Sequence, residues 1–485
     1  MTSDYDELKD KRICEHCVGE AFLCGLVVKE GVEADCDYCD KGGFTMSIGD
    51  MAELVDAAFD KHYRRTAAEP SSFQYAMMKD PEGDYDWERE GSPVVDAIAY
   101  AAEIPDAAAT DIQSILSDQY GDYEADKMGE ETDYGDESYY ETKAVGSGNW
   151  MDEWRGFENS LRTENRFFSP VAADYLASLF SGVEKLTKPD GSCVMVDAGP
   201  ETHLPALFRA RVFQSSEKLV DALRDLDREL GPPPSIVALA GRMNARGISV
   251  FYGATNPSVA LAEIRPPVGS RVVTAQFDII RPLRLLDLAA LADVAVDGSI
   301  FDPRYAEALE KAAFLETFST RITQPVMPDD EALDYIITQA VADFLATDKE
   351  QPLDGLVFRS AQAPADGVNV VLFHKAARVE LRERLKGTEI ESSDGYWDED
   401  GWEIEYKVIE WTPKPELTGK DTPPDDIAGL SVDWPAGGHG GDYREVTLRI
   451  DLNSVKVEYI EAVQFKTMSR GVSFYSWEKN DDNPF

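Results

Sequence analysis

The sequence predicts an α+β chain, with a small helical domain behind a cysteine knuckle followed by a mixed domain of helices and short strands. Two observations predict the first part. Five of the six cysteines fall between Cys14 and Cys39, and apolar residues recur at helical spacing over Ile48–Ala68, Pro93–Ile104 and Ala107–Leu116. A third predicts the rest: from Leu207 onward, short alternating runs sit between Gly and Pro turns, and helical patterns return near Tyr305 and Glu331.

At 485 residues the chain has room for about two to four domains of ordinary size. It carries 47 basic and 92 acidic residues, a net charge of -45. Such a field repels phosphate backbones and anionic lipid heads, so neither nucleic acid nor a membrane surface is expected as a partner. No run reaches the roughly 18 apolar residues a membrane helix needs. Met1–Arg12 is charged and lacks an apolar core with a cleavage site, which makes the cytoplasm the expected location.

The first segment is expected to span residues 1–148. Cys14-Glu-His-Cys17 and Cys36-Asp-Tyr-Cys39 are two CxxC pairs with 18 residues between them, the spacing of a four-thiolate zinc site. Two pairs close a tetrahedron and leave no open position, so a structural zinc is expected; Cys24 and His16 are spare. Between Asp118 and Glu141, 10 acidic residues stand against Lys127 alone, which reads as a solvated face or loop.

The second segment is expected over 149–378, with its core at 207–375. Ser169-Pro170 reads as a helix cap and first turn, with an apolar helical pattern continuing over Leu176–Leu186. Strands are predicted at Leu207–Phe213, Val250–Gly253, Val272–Ile279, Gly355–Phe358 and Val368–Lys375, and helices at Tyr305–Phe318 and Glu331–Ala346. The third segment, 379–485, contains a Pro- and Gly-rich linker over Trp411–Gly441. Two short alternating runs, Arg444–Ile450 and Val455–Ile460, suit a hairpin or small sheet.

Several polar residues of the middle segment stand where a core prefers apolar ones. Period-two alternation puts Arg209 and Arg211 on one strand face, where two guanidiniums suit a pyrophosphate and also suit a plain exposed face. Gly241-Arg242-Met243-Asn244-Ala245-Arg246-Gly247 is a glycine-bounded loop able to bring donors to a phosphate. Thr255 or Asn256, with Pro257, caps a helix of small residues that carries Glu263; burial of that helix asks for a partner, for instance Arg265 or Arg209. Ser360 closes one apolar strand, and Asn369 lies within the next.

Taken in order, Arg209, the Gly241-Arg242-x-Asn244 loop, Tyr252-Gly-Ala, Ala260-Leu-Ala-Glu263, Tyr335 with Gln339 on one helix, and Asp354-Gly-x-x-Phe358-x-Ser360 ahead of Asn369 resemble the RES domain, a family named for its Arg, Glu and Ser positions. The cysteine-rich helical segment is similar to the HEPN/RES-type domain found ahead of RES domains. The resemblance implies an ADP-ribosyltransferase-like fold and a toxin that degrades NAD, as a glycohydrolase or phosphorylase. It implies Arg209, Tyr252, Glu263 and Ser360 as the catalytic set, and Arg211, Arg242, Asn244 and Asn369 as NAD contacts. Either Arg209 or Arg211 could serve as the family arginine, with Arg209 preferred. An antitoxin or regulatory protein is the implied partner. Two other readings fit the same residues: transfer of ADP-ribose to a macromolecule, and an inactive zinc-knuckle interaction protein.

Overall fold

The computed structural model describes residues 4–476 except 80–84, 123–126, 129, 325, 328, 350–351, 363–366, 414–441 and 465–466. Contacts divide the chain into two compact units, one of residues 1–195 with 287–344 and one of 196–286 with 345–485.

In the first unit, strands Arg12–Cys14, Gly42–Ser47 and Val32–Asp35 form a sheet with Gly42–Ser47 in the centre. Ser47 then caps helix Ile48–His62, its hydroxyl accepting from Asp50 N at 3.1 Å. The apolar stripe Ile48, Met51, Val55 and Phe59 packs with Ile13, Leu23, Ile98 and Ile112 into a closed core, as the helical spacing predicts. Part of the acidic run has partners within the chain. Glu131 takes a two-pronged bond from Arg89 at 2.7 and 2.9 Å, and Asp133 pairs with Arg65 at 3.0 Å; residues 123–126 and 129 of that run lie outside the described residues. Ser169 caps helix Pro170–Phe180 as expected, but the helix stops at Phe180, because Gly182 turns left-handed at φ 72°. Helix Pro303–Thr323 and most of Glu331–Thr347, expected within the middle domain, belong to this unit. There Phe314 and Phe318 join Trp154, Phe157 and Tyr175 in an aromatic cluster.

The second unit is built on one eight-stranded sheet. Its strands are β1 (Met195–Ala198), β2 (Ala206–Phe213), β3 (Phe251–Ala254), β4 (Arg271–Ile279), β5 (Leu283–Asp287), β6 (Gly355–Arg359), β7 (Val368–Leu372) and β8 (Leu448–Tyr459). Their order across the sheet is β8-β4-β2-β3-β7-β6-β5-β1. One face of the sheet carries the main core of Leu207, Phe251, Val273, Phe277, Val370 and Leu372. The opposite face receives the short helix α1 (Pro257–Glu263), whose Val259 and Ala260 pack on Ala210, Ala254 and Val272. The two short runs expected to form a hairpin or small sheet near the C-terminus fall largely on one long strand: β8 runs antiparallel to β4 along its length, with a register shift between Thr274 and Gln276. Ser454 Oγ accepts from Gln276 N at 2.8 Å at that irregularity. The Pro- and Gly-rich linker falls almost wholly on 414–441, outside the described residues.

No helix among the described residues is long and apolar enough to cross a membrane.

Candidate active site

Four strands and one helix gather the polar residues of the second unit. Asn256 caps α1, accepting from Val259 N at 3.0 Å, and Pro257 opens the first turn. The helix lies against the start of β7 because residue 367 is glycine; a Cβ there would meet Val259 Cγ2 at 2.1 Å. Glu263 ends the helix and is exposed, not buried as its apolar neighbours suggest. It forms no ion pair with Arg265 or Arg209. Its Oε1 accepts from Ser360 Oγ at 2.5 Å and from Asn369 Nδ2 at 2.7 Å. The two donors come from the end of β6 and the interior of β7, which pair as Phe358 opposite Asn369.

Register shows which residues share a face. Asn369 lies opposite Ala254, and Val371 opposite Tyr252, so Tyr252, Ser360, Asn369 and α1 stand on one side of the sheet. Arg209 stands on the other. Its same-face neighbours Leu207 and Phe213 belong to the main core with Phe251, whereas Phe208, Ala210 and Val212 pack toward α1. The structure therefore brings Glu263, Ser360 and Asn369 into contact and sets Arg209 across the sheet from them. Only Phe208 and Ala254 pair between β2 and β3, which leaves the sheet nearly interrupted next to Arg209.

Arg209 and Arg211, indistinguishable by alternation, have different surroundings. Arg211 is exposed, and its Nη1 donates to the Glu229 carboxylate and, at 2.6 Å, to the Glu229 carbonyl. The Arg209 guanidinium stacks on Phe251 with Cζ 4.8 Å from the ring centre, and its Nη1 is sealed from solvent without a hydrogen-bond partner. Burial, and to a lesser degree the charge of Arg211, lowers its pKa to about 10, so it remains a cation at neutral pH. A buried cation lacking an acidic partner is costly, and an anionic ligand would relieve that cost.

Residues 206–392 match the family model of the RES domain. The chain carries a RES domain. Neither a curated protein nor a solved structure matches the chain. The matched residues run from β2 through both sides of the site to Ser392, and so take in every RES-type position singled out in the sequence.

Within the RES domain the loop before β3 is tied together by Asn244. Its Nδ2 donates to the carbonyls of Leu239 at 3.0 Å and Ile248 at 3.1 Å, while its Oδ1 accepts from Tyr252 OH at 3.0 Å. Tyr252 OH in turn accepts from Met243 N at 3.0 Å. Glycine is needed at 241, where a Cβ would meet Asn244 Oδ1 at 2.6 Å and Tyr252 OH at 2.9 Å. Asn244 is 4% exposed, and its polar atoms are used inside the loop. Asn244→Ala is therefore expected to lower the stability of the RES domain by about 1 to 3 kcal/mol, the cost of leaving buried polar groups unpaired. Chemical denaturation measures this, and an unchanged midpoint would remove Asn244 from the loop's support. Arg242 is half-buried on the same loop. Tyr335 and Gln339 stand on the helix assigned to the first unit.

The cysteines form a second candidate centre, in the first unit. The sulfurs of Cys14, Cys17, Cys36 and Cys39 all lie within 4.8 Å of one another. Cys14 and Cys39 are 3.5 Å apart, and Cys17 and Cys36 are 3.9 Å apart. Sulfurs at about 2.3 Å from one tetrahedral ion would stand roughly 3.8 Å apart, so the donor set fits a four-coordinate metal. Tyr38 N donates to Cys36 Sγ at 3.4 Å, the kind of outer contact that steadies a thiolate ligand. Cys24 is turned to another use, its thiol donating to Glu15 O at 3.4 Å.

Glu229 is the site-adjacent residue that sequence reading missed. Its pairing with Arg211 helps to separate the two arginines, and no short-range pattern announces a contact 18 residues away.

Proposed function

We propose that the RES domain cleaves the bond between nicotinamide and ribose in NAD, on an ADP-ribosyltransferase-like fold, and that the protein acts as a toxin held in check by a partner protein. The observation that carries this reading is the Glu263 carboxylate at the end of α1, held on one oxygen by Ser360 and Asn369, in a domain of the RES family. Rupture of the C1′–N1 bond leaves the bonding pair on nicotinamide, which departs neutral, and positive charge builds on the ribose ring. A fixed carboxylate beside the ring stabilises that charge. An oxygen of phosphate or water then bonds to C1′ and gives up a proton.

Arg209 fits the diphosphate better than the scissile bond. Its Nη1 is sealed from solvent without a hydrogen-bond partner, and the residue stands across the sheet from Glu263, at the place where β2 and β3 share a single pair. An anionic group of the substrate that reached Arg209 would relieve the cost of its burial. Arg209→Lys keeps the charge and loses the planar fork, so it is expected to lower kcat/KM about a hundredfold, mainly through KM. Arg211→Lys, already engaged with Glu229, should change kcat/KM less than about threefold. Steady-state kinetics on the two variants decide between them, and a large loss confined to Arg211→Lys would reverse the assignment.

The four cysteines are read as a structural zinc site, which would hold the short strands and helix of the first unit together and supply no step of the reaction. With adenine-labelled NAD, the label should end in small molecules. Label fixed to protein or nucleic acid would favour ADP-ribose transfer instead.

A further inference from the structure

We infer that Asn369 is a positioning residue for Glu263, clamping one carboxylate oxygen together with Ser360 so that the other oxygen alone meets the substrate. This deepens the NAD-cleaving reading and rests on it. Asn369 is 4% exposed, in the interior of β7 with Ala254 and Phe358 opposite on its two sides. An amide is a poor choice at such a position unless it has a bond to make, because an apolar side chain of the same size would pack without a polar cost.

The bond it makes is specific. Only the amide nitrogen can donate to a carboxylate, and it reaches Glu263 Oε1 at 2.7 Å. Ser360 Oγ donates to the same oxygen at 2.5 Å while accepting from Gln362 N at 3.1 Å, so the backbone bond leaves the hydroxyl proton for Glu263. Both donors converge on Oε1, and Oε2 has no partner among the described residues. Two bonds from two strands fix the rotation of a side chain that is otherwise free at a helix end. Oε2 is thereby presented in one orientation, and this matters because displacing a reacting group by about 1 Å can cost on the order of a hundredfold in rate. A residue that acts through the carboxylate should alter kcat, whereas one that touches NAD directly should alter KM.

The test uses the full chain with Asn369→Leu, which keeps the volume, and Asn369→Ser, which keeps a polar donor. Asn369→Leu is expected to lower kcat about 10- to 100-fold, with KM for NAD moving less than about threefold, and Asn369→Ser should recover part of the loss. A readout independent of activity comes from protein labelled with nitrogen-15 at asparagine side chains. The Asn369 amide pair, identified by its loss in Asn369→Leu, should shift in Glu263→Gln, because its acceptor has lost its charge. A raised KM with kcat intact, or an amide resonance blind to Glu263→Gln, would overturn the clamp. Failure of the wild-type protein to release nicotinamide would count against the NAD-cleaving reading alone, because the resonance test does not need turnover.

Discussion

Glu263→Gln is expected to lower NAD consumption about a thousandfold while leaving the fold intact. Glutamine retains the shape and the Oε1 acceptor, so Ser360 and Asn369 keep a partner; what disappears is the negative charge that the proposed mechanism sets beside the ribose. Removing one preorganised electrostatic group from an enzyme site typically costs about a hundred- to a thousandfold in kcat, and here the group removed bears a full charge. Glu263 is exposed, so thermal unfolding should shift by no more than about two degrees. Expression of the wild-type chain in bacteria should slow growth as NAD falls, and Glu263→Gln should relieve it. A folded variant that still depletes NAD would show that another group stabilises the charge.

The second large effect is expected from the cysteines. Cys14→Ser with Cys36→Ser removes one sulfur from each pair and should abolish zinc binding, leaving the first unit unfolded. The strands beside the ligands are short, Arg12–Cys14 ending on Cys14 and Val32–Asp35 preceding Cys36, and both pair with Gly42–Ser47. A structural zinc contributes on the order of 10 to 16 kcal/mol in isolated zinc-finger peptides, as much as the whole stability of a typical domain, about 5 to 15 kcal/mol. Elemental analysis should give one zinc per wild-type chain and none in the variant. Limited proteolysis should then cut the variant within residues 4–62. Zinc content and protease resistance equal to wild type would rule the site out.

Much of this architecture could be read from the chain, and the misses share a cause. β2, β3, β4, β6 and β7 were legible because apolar alternation is bounded by Gly and Pro, and helix Ile48–His62 because its buried stripe has one period. β1, only Met-Val-Asp-Ala in length, carries no pattern, since pairing with distant residues decides its state. The long strand β8 reads as two pieces because its alternation breaks between Ile450 and Val455, where its pairing with β4 shifts register. The four cysteines were the clearest local signal, and their sulfurs do converge. Glu263 was legible as a polar residue on a small-residue helix. Its partners were not, since Ser360 and Asn369 lie 97 and 106 residues away and nearer arginines offered themselves first. Arg209 and Arg211 could not be separated at all, because a period of two places both on one face, and only tertiary structure supplies Glu229 to one and Phe251 to the other.

Incubation of the purified, zinc-loaded chain with NAD, in the presence and absence of inorganic phosphate, tests the central claim most directly. Release of nicotinamide in equal amount to an ADP-ribose product is the predicted result, with the product phosphorylated at C1′ if phosphate is the acceptor and free ADP-ribose if water is. NAD left unchanged by folded protein under both conditions would contradict it.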